Sequence, residues 1–390
     1  MAAMEFGALG EEEELLALAG HLEWAFGFPA GETRTWLERG GLQEVRVARQ
    51  GGRLLGGLLR IPMGQWFGGR SLPLLGLAGV VVAPEARGRK VALSLVADTL
   101  RGARSAGIAL SALYPATITL YRAAGYELAG CRFRFTGECK NLPVARGELG
   151  VRPLTPGDDP SVERLYSELA RQRTGYLDRG PYVWGRVRSP RGESSAGYLA
   201  TGPNGPEGYV YLSQTGPQHK RELVVNDLVA ATAGAAERLL SLIADHRSTI
   251  PSFTFYGTHA DALLLSLPER AFRAEIADPF MLRVVHAERA LAGRGYPEGI
   301  ELSVELDLHD ELLPENSGRY RLDVRGGAAT VTRGGGGHAK LGVRALAALY
   351  SGFLSPFELA RAREIEADAT VLARLAALFA GPPPAMCDFF

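Results

Sequence analysis

The residues best suited to chemistry lie in one stretch, Gly76-Leu77-Ala78-Gly79-Val80-Val81-Val82-Ala83-Pro84-Glu85-Ala86-Arg87-Gly88-Arg89-Lys90-Val91-Ala92. The valine-rich run Leu77 to Ala83 reads as a strand, Pro84 marks a turn, and a helix follows over 91–105. A strand that enters a helix through such a loop presents free backbone N–H groups at the helix N-terminus. Those donors and the helix dipole suit a pyrophosphate. Arg87 and Arg89 add charge-assisted donors for phosphate oxygens. A surface turn carrying scattered cations is the alternative, since short glycine motifs recur by chance.

A second candidate is Tyr121. Leu110 to Pro115 reads as a strand, 116–126 as a short helix ended by Gly125, and Glu127 opens another strand. Taken alone, Tyr121 reads as a buried structural residue; Tyr126, beyond the helix-ending glycine, reads as core. A third candidate is the end of the chain. Pro382-Pro383-Pro384 is stiff and extended, and Ala385-Met386-Cys387-Asp388-Phe389-Phe390 closes with two aromatics. Two exposed phenylalanines at a free end are costly, so the tail is expected to dock; fraying is the alternative.

Segment 87–92 resembles the acetyl-CoA motif of the GNAT acetyltransferases, Arg/Gln-x-x-Gly-x-Gly/Ala after a strand. Here it reads Arg87, Gly88, Arg89, Lys90, Val91, Ala92, with lysine where the family usually has glycine. A lysine at that place either attracts the phosphates or crowds them. Leu120-Tyr121-Arg122-Ala123-Ala124-Gly125-Tyr126 is similar to the family's helix that follows the splayed strand. The resemblance implies that Val80, Val81 and Val82 align the pantetheine, that Arg87 to Ala92 hold the pyrophosphate, and that Tyr121 is the general acid for the departing thiolate. A basic amine substrate calls for an aromatic or acidic pocket. Trp24, Phe26, Phe28, Glu32 and Trp36, around the opening helices, are the candidates to line it, with ordinary core packing as the alternative for each.

The elements that must position these residues fall into three groups. Residues 1–145 read as one α/β domain: helices over 11–26 and 32–39, strands over 44–49, 54–61 and 77–83, a turn-rich loop over 63–70, and a strand over 131–138. The region 140–150 reads as a linker. Residues 146–282 repeat the α/β order, with helices over 160–173 and 232–246 and strands over 151–154, 195–201, 208–214 and 223–228. The segment Asp227 to Thr232 has no arginine where a phosphate would sit, so no CoA is expected in this domain. Residues 283–390 open on a short helix over 284–292. Strands over 300–307, 318–324 and 328–333 follow, and then helices over 345–352, 356–362 and 370–379. Gly334 to Gly337 reads as a turn, since a phosphate loop would need Gly-Lys-Ser/Thr.

The third unit resembles a sterol-carrier-protein-2 type domain. The order of the three resembles the Eis (enhanced intracellular survival) family of N-acetyltransferases, supported by Pro181-Tyr182-Val183-Trp184 and by Phe280-Met281-Leu282-Arg283-Val284-Val285. The fold class expected is therefore α/β (α+β): tandem GNAT folds, then a sterol-carrier-like α+β domain. The resemblance further implies acetyl-CoA as cosubstrate, a hexamer, and a tail whose Phe390 carboxylate acts as the base in the first domain. The expected substrate is a small polyamine- or aminoglycoside-like amine. A peptide-amine acetyltransferase and a non-catalytic CoA- or lipid-binding module are the rival readings.

Composition narrows the classes. The chain has 390 residues, 46% of them hydrophobic, enough for two or three cores. Forty-three basic residues balance 43 acidic ones, so no nucleic-acid footprint is expected. Lysine occurs only at 90, 140, 220 and 340. Cys131, Cys139 and Cys387 fit neither a zinc site nor a disulfide framework, so no metal and a reducing cytoplasm are expected. Glu11-Glu12-Glu13-Glu14 is unlike a secretory leader, and no apolar run reaches the ~18 residues of a membrane helix.

Overall fold

The structure, a computed structural model, describes residues 3–144, 147–192, 194–217, 220–267 and 271–390. Two compact units emerge: Met1–Ala129 with Phe280–Gly381 and Phe390, and Gly130–Pro279 with Pro382–Phe389.

The first unit starts with β1 (Met4–Ala8), α1 (Glu12–Phe26), α2 (Glu32–Gly40), β2 (Val45–Gln50), β3 (Arg53–Phe67) and β4 (Arg70–Val82). It continues through α3 (Val91–Ser105), β5 (Leu110–Leu113), α4 (Ile118–Ala123) and the start of β6 (Glu127–Glu138). Strands β1 to β4 pair antiparallel in chain order. β5 returns parallel to β4 after the crossover helix α3, and Met281–Val284 then pairs antiparallel with β5. α1 buries Leu15, Leu18, Ala19 and Leu22, a stripe at helical spacing, and ends at Gly27 in the left-handed region. α3 buries Val91, Leu95, Val96, Thr99, Leu100 and Ala103 by the same rule. Each fully buried leucine there contributes about 1.5–3 kcal/mol through removal from water.

The same unit holds a second sheet. Its strand order is Ala328–Arg333, Gly318–Arg325, Leu302–His309, Ala339–Gly342, Ile365–Glu366. Helices Val343–Ser351, Pro356–Arg361 and Ala369–Leu378 follow or flank its last strands. Val343–Ser351 is buried along nearly its whole length, so it is a core helix.

The second unit repeats the plan of the first. Ala196–Gly202, Gly205–Thr215 and Glu222–Ala230 form an antiparallel meander. Helix Ala233–Ala244 crosses over, and Ser252–Gly257 returns parallel to Glu222–Val225. Antiparallel strands, crossover helix and parallel return reproduce β2–β3–β4–α3–β5. Between Ala230 and this crossover helix there is no basic loop. Thr232 caps the helix, accepting from the Ala235 N–H at 3.1 Å and donating to Glu207 at 2.7 Å. A capped terminus beside a carboxylate does not suit an anion.

Several sequence expectations need correction. Residues 63–67 continue β3 instead of looping, and the reversal is confined to Gly68 and Gly69. The expected helix over 284–292 is Ala287–Gly293, capped by His286, and Val284 ends a strand that begins at Phe272. β1 and Ser252–Gly257 are strands that the sequence reading leaves out.

Candidate active site

The loop after β4 is built by short backbone bonds. Ala83 donates to the Leu55 carbonyl at 2.9 Å, Ala86 to Ala83 at 2.9 Å, and Arg87 to Pro84 at 3.3 Å. Buried Ala86 anchors the turn while Arg87, Gly88, Arg89 and Lys90 stay exposed. The first bond of α3 runs from the Ser94 N–H to the Lys90 carbonyl, so Val91, Ala92 and Leu93 carry the donors that a helix start leaves open. Arg89 is bonded to Gln50, whereas Arg87 and Lys90 have no side-chain partner among the described residues. Lys90 adopts φ 60°, ψ 19°, the left-handed region in which glycine is unstrained. Open donors, free cations and exposed backbone in one turn fit a pyrophosphate.

The strand leading into this loop is interrupted. Leu58 of β3 faces two residues of β4, Gly79 and Val80, in a bulge where Gly79 takes φ 57°. β4 meets β5 only at Leu74–Leu110, Leu75–Ser111 and Gly76–Ala112. Beyond that last rung β4 runs on to Val82, so its β5-side edge over Leu77–Val82 is unpaired among the described residues. A free strand edge is a ready partner for amide groups such as those of pantetheine. Val81 is buried, while Val80 and Val82 are half-buried against the core.

Tyr121 lies on α4 in the same buried cluster as Leu77, Leu113 and Tyr126, 5% exposed. Its ring meets Tyr126 edge-on at 5.8 Å. Burial pushes its hydroxyl up to about 12. Tyr126 is core, as expected: its hydroxyl is 2.7 Å from Ser111 Oγ, which donates to the Leu75 carbonyl at 2.7 Å.

Phe390 is docked, 7% exposed, in the first unit. Its ring lies 6.0 Å from that of Tyr114, just past β5. A β-carbon on Gly76 would come within 2.8 Å of the Phe390 ring and would also strike Met63. The last residue therefore packs beside the final β4–β5 rung, where the strands part.

The substrate candidates divide. Phe26 and Phe28 are 5.8 Å apart, Phe28 and Trp36 6.5 Å. A β-carbon on Gly79 would lie 2.6 Å from Trp36, so this aromatic group reaches the bulge. Trp24 is 78% exposed and Glu32 is exposed; neither joins that group.

Residues to which the sequence gives no bracing role hold these parts. Arg283 is fully buried and pairs with Asp310 at 2.7 Å. In the second unit, buried Arg179 holds Asp388 of the tail at 2.7 Å and Asp227 at 2.6 Å, with its guanidinium 3.5 Å from the Tyr166 ring centre. The Ala385 N–H donates to the Thr174 carbonyl at 2.9 Å. One cation inside the apolar run 280–285 is the only trace in the sequence of the first of these. No group of three or more His, Cys, Asp or Glu among the described residues is arranged to hold a metal.

Comparison with known proteins gives three domain matches. Residues 9–129 and 175–284 each match an acetyltransferase (GNAT) domain family, and residues 287–387 match the sterol carrier protein domain family. The structure is similar to that of a GCN5-related N-acetyltransferase from Anabaena variabilis, with TM-score 0.94, 34% identity and 100% of both chains covered. It is also similar to one from Kribbella flavida, with TM-score 0.89, 27% identity and coverage of 100% and 99%. The N-acetyltransferase Eis of Mycobacterium tuberculosis is 27% identical over 82% of this chain and 81% of its own.

Proposed function

Since the chain belongs to the Eis family of GCN5-related N-acetyltransferases and is an acyl-CoA N-acyltransferase, we propose that it moves the acetyl group of acetyl-CoA to a primary amine of a small polyamine- or aminoglycoside-like molecule. Three domains divide the work: 1–145 carries the chemistry, 146–282 is a GNAT fold without a cofactor site, and 283–390 is the sterol-carrier-like domain with the tail. No helix among the described residues is long and apolar enough to cross a membrane. A cytoplasmic hexamer is the assembly that the family resemblance favours.

The pyrophosphate rests on Arg87 to Ala92, and the pantetheine lies along the free edge of β4. The amine nitrogen attacks the thioester carbonyl carbon, the new C–N bond forms, and the C–S bond breaks. Tyr121, protonated at neutral pH, donates to the leaving sulfur. A hydroxyl near 12 is a weaker acid than an ordinary thiol near ~8.5, so its contribution is chiefly a hydrogen bond that strengthens as charge reaches sulfur. The proton of the attacking nitrogen goes to the Phe390 carboxylate. An α-carboxylate with a pKa of about 3.5 is a weak base, so it serves an amine that arrives neutral, or acts through water. The aromatic group Phe26, Phe28 and Trp36 offers faces to a cationic substrate. Much of the rate gain is positioning.

The observation that carries this reading is Phe390 packed at Gly76 and Tyr114, beside the last rung that pairs β4 with β5. The test is thiol release from acetyl-CoA with polyamines, aminoglycosides, lysine peptides and arylamines. Release with the small polycations and none with peptides is expected. Peptide-selective release would replace this reading with the protein-acetylating one, and no release with any amine would contradict it.

A further inference from the structure

The geometry points to Asp310 and Asn316, on the loop after strand Leu302–His309 of the sterol-carrier-like domain, as positioning residues for acetyl transfer. They act by fixing the C-terminal ends of the two helices that serve the reaction. The inference rests on the acetyl-transfer reading above.

The first link runs to α4. Arg283 Nε donates to the carbonyl of Ala124, the residue that closes α4, at 3.0 Å. Its Nη2 meets both oxygens of Asp310, at 2.7 and 2.8 Å. Arg283 and Asp310 are 0% and 2% exposed. Asp310 is itself held by the Leu313 N–H at 3.1 Å and by Asn316 Nδ2 at 2.8 Å. Tyr121 lies three residues before Ala124, within the same turn.

The second link runs to α3. Arg104, in its last turn, donates to Asn316 Oδ1 at 2.5 Å and to the Val285 carbonyl at 3.0 Å. Asn316 is fully buried, and its Nδ2 also donates to the Val285 carbonyl at 3.1 Å. α3 begins at the loop proposed for the pyrophosphate. One buried polar cluster thus holds the far end of the cofactor helix and the far end of the helix bearing Tyr121. A buried ion pair gives little net stability against apolar packing of the same volume, and its best-attested use is to specify one arrangement. Here the arrangement specified is the spacing of two helices, and small misplacements of reacting groups cost rate steeply.

The experiment uses the full chain. Asp310→Asn keeps the side-chain size and one acceptor oxygen, and its folding is checked by circular dichroism and a thermal midpoint. If Asp310 works through α4, kcat falls about ten-fold with Tyr121 present but less than about two-fold in the Tyr121→Phe background. Equal losses in both backgrounds, or no loss, overturn the link to α4. Arg104→Met tests the other link without touching the buried pair, and stays available if Asp310→Asn does not fold. Its Kd for acetyl-CoA, measured by calorimetry with no amine present, rises about five-fold while kcat stays within about two-fold. An unchanged Kd overturns the link to α3. Wild-type protein that binds acetyl-CoA yet turns over no amine contradicts the acetyl-transfer reading instead, and the calorimetric arm still decides the anchoring.

Discussion

At the scale of single residues the account rests on Tyr121. Burial pushes its hydroxyl up to about 12, so it keeps its proton across the working range. Its loss of that proton therefore removes activity only above about pH 11, and kcat between pH 7 and 10 shows no decline due to Tyr121. A decline centred near 10 would mean that the donor is a solvated group. Tyr121→Phe keeps the packing on Tyr126 and removes the donor; kcat falls about a hundred-fold with acetyl-CoA affinity unchanged. Lys90 carries the other residue-scale prediction. Lys90→Gly relieves a left-handed φ and recovers up to about 1 kcal/mol of stability, while the loss of a free cation weakens acetyl-CoA binding. Tighter binding in calorimetry would show instead that the lysine crowds the phosphates. The turn that carries Arg87 and Gly88 and the short helix that carries Tyr121 are legible in the sequence because each belongs to a short local pattern. The Arg283–Asp310 pair is not, since an ion pair closed across 27 positions has no periodicity.

At the scale of elements, a carboxylate shows how the start of β6 is tied down. Glu127 accepts from Arg122 at 2.7 Å and from Arg344, on helix Val343–Ser351, at 2.6 Å. Burial pushes its carboxyl up, but these bonds and the Leu128 N–H outweigh it and hold the group below its ordinary value. The unfolded chain therefore takes up this proton more readily than the folded one. The stability that Glu127 contributes is complete above the ordinary carboxylate range and disappears as pH falls through the folded value. Glu127→Gln is expected to cost about 1–3 kcal/mol at pH 7 and progressively less below pH ~4. A cost that does not change with pH in denaturant titrations would contradict this. Gly76→Ala is the matching test for the tail. The added methyl meets the ends of the Phe390 and Met63 side chains, which can move. The fold survives, Phe390 shifts, and kcat falls about ten-fold; unchanged turnover would argue that the Phe390 seat does not matter to the reaction. The long, regular elements α1, α3 and the α/β repeat are legible because their apolar spacing is sustained. β1, an edge strand with no fully buried residue, offers little apolar pattern to read, and Ser252–Gly257 goes unread although the shorter β5 is legible.

At the scale of the whole molecule, two GNAT plans share one chain, and the proposed chemistry belongs to the first. The difference lies in the turn before the crossover helix: exposed cations and open N–H groups at 87–93 in the first, a threonine cap beside Glu207 in the second. That contrast is legible in the sequence as the lack of arginine at 227–232. That the tail docks is expected from its two closing aromatics and from the resemblance; which residues seat Phe390, namely Gly76, Met63 and Tyr114, is not legible in the sequence, because a tail's contacts are set by tertiary packing. The most direct test is to prepare the full chain with Phe390 as its natural acid and as the C-terminal amide, and to compare amine-dependent thiol release at matched acetyl-CoA saturation. The amide keeps the ring and removes the charge. The account predicts equal folding and acetyl-CoA affinity, with kcat lower by about ten-fold or more in the amide. Equal kcat in the two forms would contradict the role given to the Phe390 carboxylate.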